Sequence, residues 1–178
     1  TTAGSLVLGV AMTLGWTVLT QLIKPGTPIS IQQGHNPMHM QTGISANGQI
    51  SCALGGAMMN QMLRKYEIPT CTCSGFSSDS KKVDWQTGYQ KSLGTLIEAL
   101  SGGHLAIFQG GGCGELMYSP ALEILDDDVA RWIGRCLEGA NVNDETLAIN
   151  LINQIGPTPG GYMDTDHTRN FSGLEQDL

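Results

Sequence analysis

The residues best placed for chemistry lie in segment 108–128, FQGGGCGELMYSPALEILDDD. Gln109 and three glycines, Gly110, Gly111 and Gly112, follow a short apolar run, and Cys113, Gly114 and Glu115 come next. Glycines that end a strand let the backbone take φ > 0 and bring main-chain N–H groups close to a ligand. In α/β folds, ligands sit at the carboxyl ends of strands. Residues 109–115 are therefore the foremost site candidate. Gln109 reads either as a partner for a substrate oxygen or as a loop cap. Glu115 reads either as a counter-charge for a cation or, more plainly, as an exposed loop carboxylate. A phosphate-binding loop would want Lys and Ser/Thr after its glycines, and this one offers an acid.

Other polar residues fall in loops that can face the same mouth. His35, His39 and Gln41 lie in loop 34–48, and Asp79 and Lys81 lie in loop 74–83. Sites of this architecture are assembled from the loops that follow the strands. Asp79 and Lys81 either pair with each other or organise their loop. Trp85 and Tyr89 could hold a cation by cation–π attraction, but their place on a helix favours packing. Met58 and Met62, four apart on a helix, read as core. Asp126, Asp127 and Asp128 point in different directions from a helix and are expected to be solvated. Asp166-His167 is expected to be structural.

The five cysteines are odd in number and follow no secretory leader pattern, so reduced thiols in a cytoplasmic protein are expected. Cys71-x-Cys73 is too tightly spaced for a structural zinc site, and no second pair follows it. No metal bound by this chain is expected.

The elements that must position these groups alternate. A helix is expected over 4–23, a strand over 28–33, and a helix over 50–66 with Leu54, Ala57, Met58, Met62 and Leu63 at helical spacing. A strand follows over 68–73. The next helix begins after Asp84 as N-cap and carries the stripe Tyr89, Leu93, Leu96, Ile97 and Leu100 until Gly102-Gly103 stops it. A buried strand is expected over 104–108, then helices over 120–137 and 144–155, the latter capped by Asn143. A turn-rich tail occupies 156–178. Strands alternating with helices imply parallel βαβ units. Three strands make either a small open sheet or part of a larger barrel, since a complete one takes roughly 250 residues. The opening helix, with no strand before it, favours a part. All 178 residues read as one domain.

Composition narrows the function. With 40% apolar residues the chain can build a core. A net charge of −7 argues against a nucleic-acid partner. Segment 4–23 is long and uncharged enough to span a bilayer. Its threonines and glycines fit a helix buried in a larger soluble protein equally well, and the α/β pattern after it favours that; no membrane partner is expected.

Asp79-Ser80-Lys81, Asp84, Gln86-Thr87-Gly88-Tyr89 and Lys91 together resemble the trimethylamine methyltransferase family of corrinoid-dependent methyltransferases. The resemblance extends upstream through Lys24-Pro25-Gly26-Thr27-Pro28 and Met40-x-Thr42-Gly43. Downstream it continues through the glycine turn, Ser119-Pro120, Leu125-Asp126-Asp127, the run 144–148 and Asp166-His167-Thr168. It covers nearly the whole chain. It implies a TIM-type (β/α) barrel of which this chain is a partial, C-terminal portion with extra helices. It further implies methyl transfer from a methylated amine to the cobalt of a corrinoid (cobalamin) carried by a partner protein. Trimethylamine members of the family carry pyrrolysine, which this chain lacks, and that favours a quaternary amine such as a betaine.

Gln109 departs from the family, which commonly shows a histidine before its glycine turn. From their places in the strand-end loops, the expected substrate-binding set is His35, Gln41, Asp79, Gln109, Gly110, Gly111, Gly112 and Glu115, with no catalytic residue assigned. The partners implied are the corrinoid protein, the methylated amine, and either the other half of the barrel or a second copy of the chain. The rival expectation is a non-catalytic α/β fragment that assembles with a partner half-barrel or corrinoid protein. A zinc- or phosphate-using α/β enzyme is the third.

Overall fold

The computed structural model describes residues 1–32, 34–72, 76–157 and 160–173. Gln33 and Cys73, the last residues of the first two expected strands, lie outside the described residues, as do Ser74, Gly75, Thr158, Pro159 and 174–178. The chain forms two compact units, Thr1–Leu137 and Glu138–Leu178.

In the first unit, α1 (Thr2–Ile23) leads to β1 (Ile31–Gln32), α2 (Ile50–Lys65), β2 (Thr70–Thr72), α3 (Trp85–Leu100) and β3 (Leu105–Ala106). A short hairpin of β4 (Gly111–Gly112) and β5 (Met117–Tyr118) precedes α4 (Pro120–Glu138). The first three strands form one parallel sheet in the order β1-β2-β3. Ile31 pairs with Thr70 and Cys71 with Leu105. Spatial order follows chain order without a reversal, whereas a doubly wound sheet reverses at a switch point. The helices follow the same sequence, α1 against α2 and α2 against α3. The structure thus has the expected mixed α/β class with parallel strands, an open arc compatible with part of a barrel.

The core sits between α1, α2 and the sheet. Met59, Leu63 and Ile68 are buried, with Leu6, Val10, Leu14, Ile29 and Ile31 packed against them. One side of α1 therefore serves this core, while Val7, Leu8, Trp16 and Leu22 on its other side are exposed. By length and composition α1 could cross a membrane. Among the described residues, only Leu6, Val10 and Leu14 of this helix pack against the core.

Two expectations need correction. The apolar stripe of α3 exists but faces outward, with Tyr89, Leu93 and Leu100 exposed, and the buried face is Thr87, Lys91, Gly94, Thr95 and Glu98. Two of these polar groups meet partners there: Lys91 pairs with an acid, and the Thr87 hydroxyl donates to the Lys82 carbonyl at 2.6 Å; the Glu98 carboxylate lies over Gly56 of α2. The strand expected to be buried, β3, has Leu105 at 55% exposure. It is the last strand in the sheet order, so only β2 flanks it. An apolar run signals burial only where a second element covers it.

The second unit contains α5 (Asp144–Leu147), α6 (Ile149–Ile155) and α7 (Asp166–Phe171). The single helix expected over 144–155 breaks at Ala148, whose φ is 48°. Asn143 caps its start as expected, in a capping box with Thr146. His167 stacks on Phe171 at 4.6 Å, with its Nε2 3.0 Å from the Glu145 carbonyl oxygen, and Asp166 pairs with Arg169.

Asp84 caps α3 by accepting from the Thr87 N–H at 3.1 Å, and the Ser80 hydroxyl donates to its other oxygen at 2.8 Å. These donors hold its carboxyl below the ordinary Asp range. A depressed carboxyl stabilises the fold above its unfolded pKa of about 3.9, and that contribution disappears as pH falls through the depressed value. Asp84→Ala should therefore melt below the wild type at neutral pH, with the gap closing in melts below about pH 4. Burial pushes the Cys52 thiol up to about 11, so it remains protonated at pH 8. Iodoacetamide should then alkylate exposed Cys136 and spare Cys52 until the chain is unfolded, as peptide mass spectrometry would report.

Candidate functional site

The loops after the three parallel strands meet at the glycine hairpin. From the loop after β1, Asn47 Nδ2 donates to the Gly114 carbonyl at 3.4 Å. From the loop after β2, the Ser80 and Ser78 carbonyls accept the N–H groups of Cys113 and Gly114, each at 2.8 Å. The Ser77 hydroxyl donates to Glu115 Oε1 at 2.8 Å. The β2 loop is itself tied to α3. Gln90 Oε1 accepts from the Ser78 hydroxyl at 2.9 Å and from the Asp79 N–H at 3.0 Å. Phe76, Ser77, Ser78 and Ser80 are buried, so this loop forms a floor.

The hairpin is held from beneath by a buried ion pair. Lys91 Nζ lies 2.6 Å from Asp126 Oδ2, with both side chains 2% exposed. The same ammonium donates to the Gly111 carbonyl at 3.0 Å, and the same carboxylate oxygen accepts the Gly110 N–H at 3.0 Å. Burial raises the Asp126 carboxyl above the ordinary Asp range, opposed by the hydrogen bond and charge of Lys91 and then by the Gly110 N–H. Asp126 is thus no solvated acid. Of the three consecutive aspartates only Asp127 and Asp128 face solvent, and Asp127 pairs with Arg131 at 2.8 Å.

Gln109 and Glu115 are brought together. The Gln109 amide nitrogen donates to Glu115 Oε2 at 2.7 Å, so both carboxylate oxygens have a neutral donor. Glu115 sits at φ 68° and Cys113 at φ 53°, a left-handed conformation that costs a non-glycine residue about 1–2 kcal/mol. The turn closes in this form because Gly111 leaves room for the returning acid. A Cβ built at Gly111 would fall on the Glu115 carboxylate. The N–H groups of Gly110, Cys113 and Gly114 are not presented to a ligand, since each has a partner within the protein. What the hairpin offers outward is the half-buried carboxylate of Glu115 and the exposed amide of Gln109.

The remaining candidates lie around this centre. Asp79 is half-buried in the β2 loop, and its Oδ1 is 4.0 Å from a Cβ built at Gly114. Lys81 is exposed. His35 is half-buried against α2, where a Cβ at Gly55 would collide with its own. Gln41 is exposed at the tip of the β1 loop, in a turn closed by the Thr42 and Gly43 N–H groups on the His39 carbonyl. Trp85 is 85% exposed at the start of α3 rather than packed. Among the described residues, no three His, Cys, Asp or Glu side chains gather as a metal would require. Ser77, Gln90, Lys91 and Asp126 carry the site's support and were not among the expected site residues. The available signal was the polar row Thr87, Lys91, Glu98 on a helix whose other face is apolar.

Gly111→Ala should expel the Glu115 carboxylate from its two donors. The expected cost is about 1–3 kcal/mol, read from denaturant unfolding, with faster amide exchange at residues 113–116 than in α2.

The trimethylamine methyltransferase (MTTB) family profile matches residues 1–172. Over 170 residues the chain is 31% identical to trimethylamine methyltransferase MttB of Desulfitobacterium hafniense, covering 94% of this chain and 34% of that protein. It is 30% identical to glycine betaine methyltransferase of the same species, over 94% of this chain and 35% of the relative. Trimethylamine methyltransferase MttB of Methanosarcina thermophila is 30% identical over 86% of this chain and 32% of its own length. The chain spans about a third of the length of these curated relatives. With a match over nearly its whole length, the chain belongs to the trimethylamine methyltransferase (MTTB) family.

Proposed function

We propose that this chain forms one wall of the substrate site of a methylated-amine methyltransferase, built as a segment of a (β/α) barrel. The substrate is trimethylamine or a quaternary amine such as a betaine, and the acceptor is the cobalt of a corrinoid carried by a separate protein. The observation that carries this reading, beside family membership, is the convergence of three strand-end loops on the hairpin whose Glu115 carboxylate is oriented by Ser77 and Gln109. Barrel sites are assembled from such loops.

A reduced corrinoid supplies a strongly nucleophilic metal centre, so the difficult chemistry belongs to the cofactor. The protein's share is to hold the carbon–nitrogen bond in line and keep water away. The methyl leaves without its bonding electron pair, which remains on nitrogen, so a quaternary ammonium releases a neutral tertiary amine, and trimethylamine reacts as its protonated form to release neutral dimethylamine. Glu115 suits the ground state of that reaction, because the cationic charge it faces fades as the bond breaks. An interaction stronger with substrate than with the transition state governs KM and leaves kcat nearly unchanged. Gln109 holds the carboxylate in place, and exposed Met38, Met40 and Leu116 on the same loops give the partner a soft apolar rim.

A second reading is favoured by the exposed apolar faces of α1 and α3, with Val7, Trp16, Leu93 and Leu100 among their residues. On that reading the chain is a non-catalytic piece that assembles with a partner half-barrel or corrinoid protein. The two separate in one assay. Cob(I)alamin should become methylated when mixed with the purified chain and trimethylamine or glycine betaine, followed by absorbance. Glu115→Gln should raise KM about tenfold with kcat retained. No transfer across a panel of tertiary and quaternary amines would remove the enzymatic reading for the chain alone and leave the assembling one.

A further inference from the structure

The Lys91–Asp126 pair is the one buried ion pair among the described residues that contacts the hairpin, and substrate binding makes no direct use of it. Its geometry is specific. One ammonium holds the Gly111 carbonyl and one carboxylate oxygen holds the Gly110 N–H, so adjacent residues of the strand are gripped by opposite charges. Gly111 is also the position whose missing Cβ makes room for the Glu115 carboxylate. Any displacement of that backbone therefore moves the floor on which Glu115 rests. The two charged residues come from different helices, Lys91 from the middle of α3 and Asp126 from the first half of α4.

We propose that Lys91 and Asp126 are positioning residues that set the Glu115 carboxylate by clamping the Gly110–Gly111 backbone between them. The assignment of Glu115 to a cationic substrate rests on the function proposed above; the clamp itself does not. The ammonium and carboxylate each satisfy one main-chain group, so removing either leaves its partner charge buried and unpaired as well as releasing one end of the grip. A hydrogen-bonded pair of this kind also depends on geometry more than on charge alone.

The test uses the full 178-residue chain, with Lys91→Met as the first variant and Asp126→Asn as the second. Asparagine keeps shape and an acceptor for the Gly110 N–H, so it guards against a first variant that fails to fold. Hydrogen exchange is followed amide by amide, with thermal melting alongside. The amides of Gly110, Cys113, Gly114 and Glu115 should exchange at least tenfold faster in Lys91→Met, while those around Leu63 in α2 keep their wild-type rates. Asp126→Asn should show the same selectivity with a smaller change. Equal acceleration in hairpin and α2, matching a lower melting point, would mean that the pair is only a general stabiliser and overturn the proposal, as would unchanged exchange at the hairpin. Titration with glycine betaine and with trimethylamine tests the substrate reading separately. Wild-type binding that weakens tenfold in Lys91→Met supports clamp and substrate together, and binding unaffected by a loosened hairpin overturns the positioning role. If the wild type binds neither glycine betaine nor trimethylamine while the hairpin loosens selectively, the substrate reading fails and the clamp stands.

Discussion

A buried lysine and a buried aspartate 2.6 Å apart hold the loop region of this chain together. Such a pair adds little net stability relative to a well-packed apolar pair, yet removing one partner costs about 3–5 kcal/mol because the other charge is stranded. That asymmetry makes the pair a constraint on shape. It links α3 to α4 and fixes the glycine strand between them, and the remaining loop contacts are arranged around that strand. Ser78 and Ser80 hold the outer turn, Ser77 and Gln109 hold the acid, and Gln90 fastens the serine loop to α3. The network runs on neutral donors and main-chain groups everywhere except at this base.

The sheet explains why three loops can share one place. Parallel strands in chain order send all their outgoing loops to the same end, so residues far apart in sequence come into contact. Asn47 and Gly114 are 67 positions apart and still hydrogen-bonded. The helices on this arc remain apolar on faces that nothing among the described residues covers, notably the outer sides of α1 and α3.

Much of this layout was legible in the residues. The alternation of elements, the caps at Asp84 and Asn143, and the glycine-rich segment after the third strand all follow from local rules. Local rules also explain the errors. Periodicity located the apolar stripe of α3 but could not say that its inner face would be the polar one, because that depends on Asp126, 35 residues away. The hairpin was hidden for a similar reason. Gly111 and Gly112 carry no strand propensity, and their pairing with Tyr118 and Met117 depends on a turn in which Cys113 and Glu115 take an unfavourable φ. The solvated reading of Asp126 failed because adjacent residues on a helix face different surroundings, and this one faces the Lys91 ammonium and the Gly110 N–H rather than water.

The resemblance to the family leads one to expect a histidine where this chain has Gln109. An imidazole donating to Glu115 would titrate near 6.5 in the absence of other influences, and would alternate between a charged and a neutral neighbour within the physiological range. The glutamine amide makes the same donation at 2.7 Å with no proton to gain or lose. Position 109 therefore adds no titratable neighbour to this carboxylate.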